Sequence, residues 1–225
     1  MSRFWEMGSY NVRAQPVVSF LQPMPNERLS SSRLEAFSDG VIAVIITIMV
    51  LELRVPAREV SNAAGLHDVL PLVFVYLLSF IQVGIYWVNH HYLIDGLKQV
   101  THGILWSNLA MLFCLSLIPV ATNWVGTRGI SPFSIALYSA ACVLPGTPWM
   151  LLSSLICYKT NQRPPGGMVK QLVSVILYLG AIPLAYVSPY ISLGMIGLVG
   201  VVWLLPPREI VELTRKSTPL SPHSH

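Results

Sequence analysis

Ser38 and Asp39 lie inside the most apolar run of the chain, residues 33–53. A hydroxyl and a carboxylate placed there can do one of two things: touch a permeating cation, or tie helices together by hydrogen bonds. Any ionisable group at the edge of a hydrocarbon-length helix must be paired, neutralised or turned to water, which makes the pair a functional candidate. Groups able to answer it recur twice. Trp87, Asn89, His90 and His91 close a second apolar run, and Trp106, Ser107 and Asn108 open a third. A metal centre on His90 and His91 is disfavoured, because adjacent helical residues diverge by about 100° and cannot both point at one ion. Cys114, Cys142 and Cys157 are scattered through apolar segments with no CxxC pair, and read as small core residues. His223 and His225 belong to a polar tail and are assigned no metal. With no GxSxG, P-loop or HExxH pattern, and no two carboxylates adjacent to one another inside a span, no enzyme is expected.

The elements that must position these groups are membrane helices. Of 225 residues, 53% are hydrophobic and only 11% charged, at a mean hydropathy of +0.60; a soluble domain would carry roughly a quarter charged. Six apolar spans of bilayer length follow: Leu34 to Leu53, Leu70 to Ile94, Ile104 to Thr122, Ile130 to Tyr158, Val169 to Val187 and Tyr190 to Leu205. The expected fold is an all-α integral membrane protein. Its three parts are an N-terminal tail over 1–32, a six-helix domain over 33–205 and a C-terminal tail over 206–225. With six spans both termini share a side, and if that side is cytoplasmic it holds eleven of the fourteen Lys and Arg residues. Only Arg54, Arg58 and Arg128 face out. Loops rich in Lys and Arg stay in the cytoplasm, so both termini are placed there and the basic pI of ≈ 9.1 reflects topology, not nucleic-acid binding.

At about 100° per residue, Phe37, Gly40, Ile48 and Leu51 fall within about 40° of Val44, with Thr47 about 60° to one side. Ser38 and Asp39 fall about 120–140° away. One face of the first helix is therefore apolar with a single hydroxyl, and the other carries the hydrogen-bonding pair. Asp39 lies six residues in from Arg33, about 9 Å along the axis, a depth shared with the histidines and with Asn108. A network of Arg33, Phe37, Ser38, Asp39, His90, His91 and Asn108 is expected to lock the first helix against the second and third. Which histidine meets Asp39 stays open, as does a plain interfacial role for each.

The motif Arg33-x-x-x-Phe37-Ser38-Asp39, followed by an apolar helix containing Thr47, resembles the first helix of the transmembrane protein 175 family of potassium channels. That resemblance implies that the first helices of several subunits line a central pore. It also implies that rings of bulky apolar side chains, in place of a carbonyl filter, form the constriction. On this chain the rings fall at Val44, Ile48 and Leu51, with Thr47 as a hydroxyl layer. The family's usual Ile or Leu at the first ring is Val44 here. Glu52 at about 80° from the Val44 line is a candidate for the outer mouth or for the lipid interface. A single copy of the motif implies the prokaryotic type: a homotetramer in the plasma membrane, with potassium as the permeant ion, lipid as its surroundings and no cofactor. No Thr-Val-Gly-Tyr-Gly filter and no arginine-studded voltage sensor is present. Two rivals remain: a secondary transporter with its site near Pro145-Gly146-Thr147-Pro148, which interrupts the fourth span, and a non-conducting scaffold.

Overall fold

The computed structural model describes residues 30–51, 53 and 62–204. Residues 1–29, Glu52, the segment 54–61 and residues 205–225 lie outside the described residues, and Ser31 and Ser32, expected in the N-terminal tail, open the first helix. What is described is all-helical. α1 (Ser31–Leu51), α2 (Asn62–Ile94), α3 (His102–Arg128), α4 (Pro132–Val143), α5 (Gly146–Thr160), α6 (Gly167–Leu184) and α7 (Pro189–Leu204) follow in order. Residues 31–51, 69–94, 102–128 and 132–160 are long and apolar enough to cross a membrane, while 169–184 and 189–204 are shorter apolar helices.

β-branched runs such as Val44-Ile45-Ile46-Thr47-Ile48 are mediocre helix formers in water. In hydrocarbon the backbone must satisfy itself within the segment, and that constraint overrides propensity. Helix ends carry ordinary signals. Thr101 accepts from the Ile104 amide at the start of α3, and Ser131 accepts from that of Ser134 ahead of Pro132 in α4. Between α5 and α6 the chain turns through positive φ at Asn161 and at Gly166. A Cβ on Gly166 would stand 2.8 Å from the Trp203 ring, so only glycine fits there.

Two further details differ from the sequence reading. α2 begins at Asn62, eight residues before the expected Leu70, because Asn62-Ala-Ala-Gly-Leu-His-Asp can be helical without being apolar. The fourth span divides into α4 and α5 at Leu144 and Pro145. Both residues keep right-handed helical dihedrals, so the interruption is a proline kink and not an unwound strand.

Packing falls into two cores that share α2 and α3. One joins α1 and α5 to one end of α2 and α3 through Ile42, Met49, Val83, Met111, Leu115 and Leu152. The other joins α4, α6 and α7 to the opposite end through Val75, Val125, Ile135, Tyr138, Ala181 and Ile196. A hydroxyl cluster fastens the second: Ser79 Oγ lies 2.8 Å from Thr122 Oγ1 and 2.9 Å from Tyr138 Oη. Among the described helices α1 packs chiefly on α2 and α3. It is the outermost element of the first core.

Candidate functional site

The buried stripe of α1 is Leu34, Ser38, Ile42, Ile45 and Met49, which recur every three or four residues as a helix face requires. Ser38 is the polar member, and its contacts run through three helices. Its Oγ donates to the Leu34 carbonyl at 2.8 Å and accepts from Asn108 Nδ2 of α3 at 2.9 Å. Asn108 Oδ1 lies 2.8 Å from His90 Nε2 of α2. Because that oxygen can only accept, Nε2 carries the proton and the chain has one direction: His90 to Asn108 to Ser38 to the Leu34 carbonyl. All three side chains are fully buried. His90 Nδ1 is the one buried side-chain polar atom without a partner among the described residues.

Asp39 does not join this chain. It sits at the edge of the buried stripe and accepts from Trp87 Nε1 at 2.9 Å. His91 Nδ1 instead meets Glu35 Oε1 at 2.9 Å, and the Trp87 and His91 rings stack at 6.5 Å. Glu35 and Asp39 are four apart on α1, as Trp87 and His91 are on α2, and the two helices run in opposite directions. The result is a two-rung ladder, with Asp39 on Trp87 deeper and Glu35 on His91 nearer the helix ends.

The expected network is thus two structures. One is a buried chain of Ser38, Asn108 and His90; the other is a partly exposed ladder that takes Asp39 and His91 and adds Glu35 and Trp87. Neither histidine meets Asp39. Phe37 carries no polar atom and is 53% exposed, so it stands outside the network on the face it shares with Val44. Arg33 is exposed at the first turn of α1. Trp87 and Glu35 were legible in principle, from an acidic pair at i, i+4 facing ring N–H donors at i, i+4 on an antiparallel neighbour.

The opposite face of α1 is bare. Val44 is 54%, Ile48 43% and Leu51 78% exposed, and Gly40 and Thr47 are exposed between them. Thr47 Oγ1 donates back to the Val44 carbonyl at 2.9 Å, which satisfies its proton and leaves its lone pairs facing outward. The bare face continues into an open groove against α3, walled by Phe37, Val44 and Ile48 on one side and Ser116, Pro119 and Asn123 on the other. The angular reading of the sequence therefore matches the packing: the residues grouped with Val44 are those the subunit leaves uncovered.

Comparison with known proteins adds the following. Residues 33–119 match the family model described as endosomal/lysosomal potassium channel TMEM175. A potassium channel of Chryseobacterium sp. (strain P1-3) is 42% identical over 187 residues, covering 81% of this chain and 96% of that protein. A potassium channel of Chamaesiphon minutus is 27% identical over 184 residues, covering 75% of this chain and 91% of that protein. Among solved structures, a potassium-selective channel from Chamaesiphon minutus, described as a homologue of lysosomal TMEM175, superposes with a TM-score of 0.62 at 24% identity. It covers 77% of this chain and 96% of that one, so the fold is shared.

Proposed function

Because the chain belongs to the TMEM175 family, we infer that it is a multi-pass membrane protein of prokaryotic type that acts as a potassium channel, carrying the ion passively down its gradient. Four copies assemble around a central axis, and α1 of each copy lines the path. Val44 forms the constriction, Ile48 and Leu51 form further apolar rings, and Thr47 supplies a layer of hydroxyls. The protein resides in the plasma membrane with both termini in the cytoplasm. Membership points away from an enzyme.

One observation carries the assignment of the path. The face of α1 bearing Val44, Ile48 and Leu51 is left bare by its own subunit although the opposite face is packed to zero exposure at Ser38 and Met49. That bare face also includes Ala36, Gly40, Ala43 and Thr47. Small and hydroxyl-bearing residues are the composition of helix–helix and water-lined surfaces in membranes, whereas lipid-facing positions favour large apolar side chains.

The mechanism follows from the two faces. A narrow ring of valines admits water only when it widens, so a small rotation or tilt of α1 can switch conduction by dewetting without moving a charge. Partial dehydration at the ring disfavours the more tightly hydrated sodium ion, and the Thr47 hydroxyls replace some of the lost water. Behind the path, the chain from His90 through Asn108 to Ser38 and the ladder on Glu35 and Asp39 set the angle at which α1 presents Val44. They act as positioning groups and do not touch the ion.

The kinked fourth span gives the transporter reading little support, because continuous helical dihedrals at Leu144 and Pro145 leave no unwound backbone to form a midplane substrate site. Reconstitution of the purified tetramer into planar bilayers tests the reading. The expected result is unitary currents that reverse near the potassium equilibrium potential in potassium–sodium gradients. Slow saturable flux without unitary events would indicate a carrier, and no flux a scaffold; either contradicts the assignment.

A further inference from the structure

Asp39 commits one carboxylate oxygen, Oδ1, to Trp87; its Oδ2 meets no donor among the described residues. The carboxylate lines a groove of ≈ 780 Å³ between α1, α2 and α7, a volume within the range of small-molecule sites. The groove runs from Asp39 and Trp87 to Ile46 and Phe80, about 10 Å along each helix, and Trp203 borders it on the α7 side. Among the described residues that line it, Asp39 is the only charged one. Ile42 and Ile46 fall about 160° from Val44 at about 100° per residue, so the groove opens away from the proposed ion path. Gly84 stands in its wall, and a methyl added there would meet nothing within 4 Å. Glycine inside a helix is destabilising relative to alanine, and no contact among the described residues requires it at that position. Lys170 of α6 holds its ammonium 5.3 Å from the centre of the Trp203 ring, so a positive charge stands beside the α7 border of the groove.

We propose that this groove seats a phospholipid of the cytoplasmic leaflet whose headgroup carries a primary ammonium, hydrogen-bonded to Asp39. The choice of leaflet rests on the topology proposed above. A lone carboxylate in an apolar wall favours a cation over an anion. The open lone pairs of Oδ2 favour an ammonium with N–H donors over a quaternary one, which has none. Beyond Asp39 the wall is apolar along Ile46, Phe80 and Ile81, a length that an acyl chain uses and a small soluble amine leaves empty. The phosphate of the same headgroup is drawn toward Lys170. A neighbouring copy is the poorer occupant, because the groove points away from the axis around which the copies gather. Since Asp39 is a rung of the ladder that fixes α1, the bound lipid braces that helix from its membrane side.

The test adds dioleoyl phosphatidylethanolamine, dioleoyl phosphatidylcholine or dioleoyl phosphatidylglycerol to the full-length protein in detergent. The three share their acyl chains and differ only in headgroup. Affinity is read from saturable thermal stabilisation, and location from mass spectrometry after cross-linking of a phosphatidylethanolamine with a photoactivatable acyl chain. The expected result is that the ethanolamine lipid binds about 10-fold more tightly than the choline lipid, as one hydrogen bond between charged groups supports. The glycerol lipid should bind more weakly still, and the label should fall within 80–88 of α2 or on the facing stretch of α1. Asp39→Asn keeps an acceptor for Trp87 but removes the charge, and should erase the preference for ethanolamine. Gly84→Leu grows into open space and should weaken all three lipids and remove the label. The proposal is overturned if the label falls only on other surfaces, as it would were a neighbouring copy to seal the groove. Equal affinity for the three headgroups, an ethanolamine preference that survives Asp39→Asn, or native binding by Gly84→Leu would each overturn it as well. None of these readouts depends on ion conduction, so the channel reading stands or falls separately.

Discussion

Val44→Asn is expected to produce a channel that leaks at rest, with background potassium current raised about tenfold or more and discrimination against sodium reduced. An apolar constriction holds its barrier by refusing water. In the proposed tetramer, four amides in place of four isopropyl groups would supply donors and acceptors at the proposed constriction, so the ring would stay wet and an ion would cross without losing its hydration. Each lowering of that barrier by about 1.4 kcal/mol raises passage about tenfold. Val44 is 54% exposed in its own subunit, so the substitution leaves the subunit core intact, and loss of folding is not the expected phenotype. Whole-cell or bilayer recording normalised to surface protein provides the measurement. A current equal to that of the native chain would remove Val44 from the constriction.

Asn108→Leu is expected to have the largest structural effect of any single change at the site. The side chain is fully buried, of similar size to leucine, and connected on both sides. Its loss leaves the His90 Nε2 proton without an acceptor and the Ser38 oxygen without a donor. An orphaned buried donor costs about 1–3 kcal/mol, although hydrogen bonds between membrane helices average nearer 0.6 kcal/mol because the unfolded chain also finds partners. A fall of about 1–3 kcal/mol in the stability of the purified protein is therefore expected, together with altered gating because α1 is no longer fixed in rotation. The asymmetry of polar burial supplies the control. A triple variant with Ser38→Ala, His90→Leu and Asn108→Leu leaves nothing unsatisfied and should recover much of the loss. Thermal melting followed by size-exclusion chromatography reads both. If the single variant melts like the native protein, the chain from His90 to Ser38 is not what holds α1.

How much of this was legible in the sequence depends on whether the signal was periodic or pairwise. The split of α1 into a bare face at Val44, Ile48 and Leu51 and a packed face at Ser38 is a matter of angle, and angle follows from residue number alone. That Ser38 would seek Asn108 was also readable, because few groups of that kind lie at that depth and none can be left bare in hydrocarbon. Two other facts were not. Choosing His90 over His91 for Asn108 depends on the rotation of α2 about its own axis, which adjacent residues cannot reveal. That Asp39 takes Trp87 and neither histidine depends on the same rotation, although Trp87 stood among the groups at that depth and its ring carries one N–H donor. Glu35 was readable only through its i, i+4 spacing from Asp39, because a carboxylate at a helix end by itself needs no partner. In the fold, the early start of α2 at Asn62 escaped notice because hydropathy reports where a helix is apolar and not where it is helical.

The central claim, that Val44 borders the ion path, is tested most directly by Val44→Cys in an otherwise cysteine-free background, Cys114, Cys142 and Cys157 being the native cysteines. A charged methanethiosulfonate reagent is applied while current is recorded. The prediction is progressive block during conduction, slowed by high potassium, and reversed by a reductant. Full current with the introduced thiol shown to be unmodified, or modified without any change in current, would contradict it.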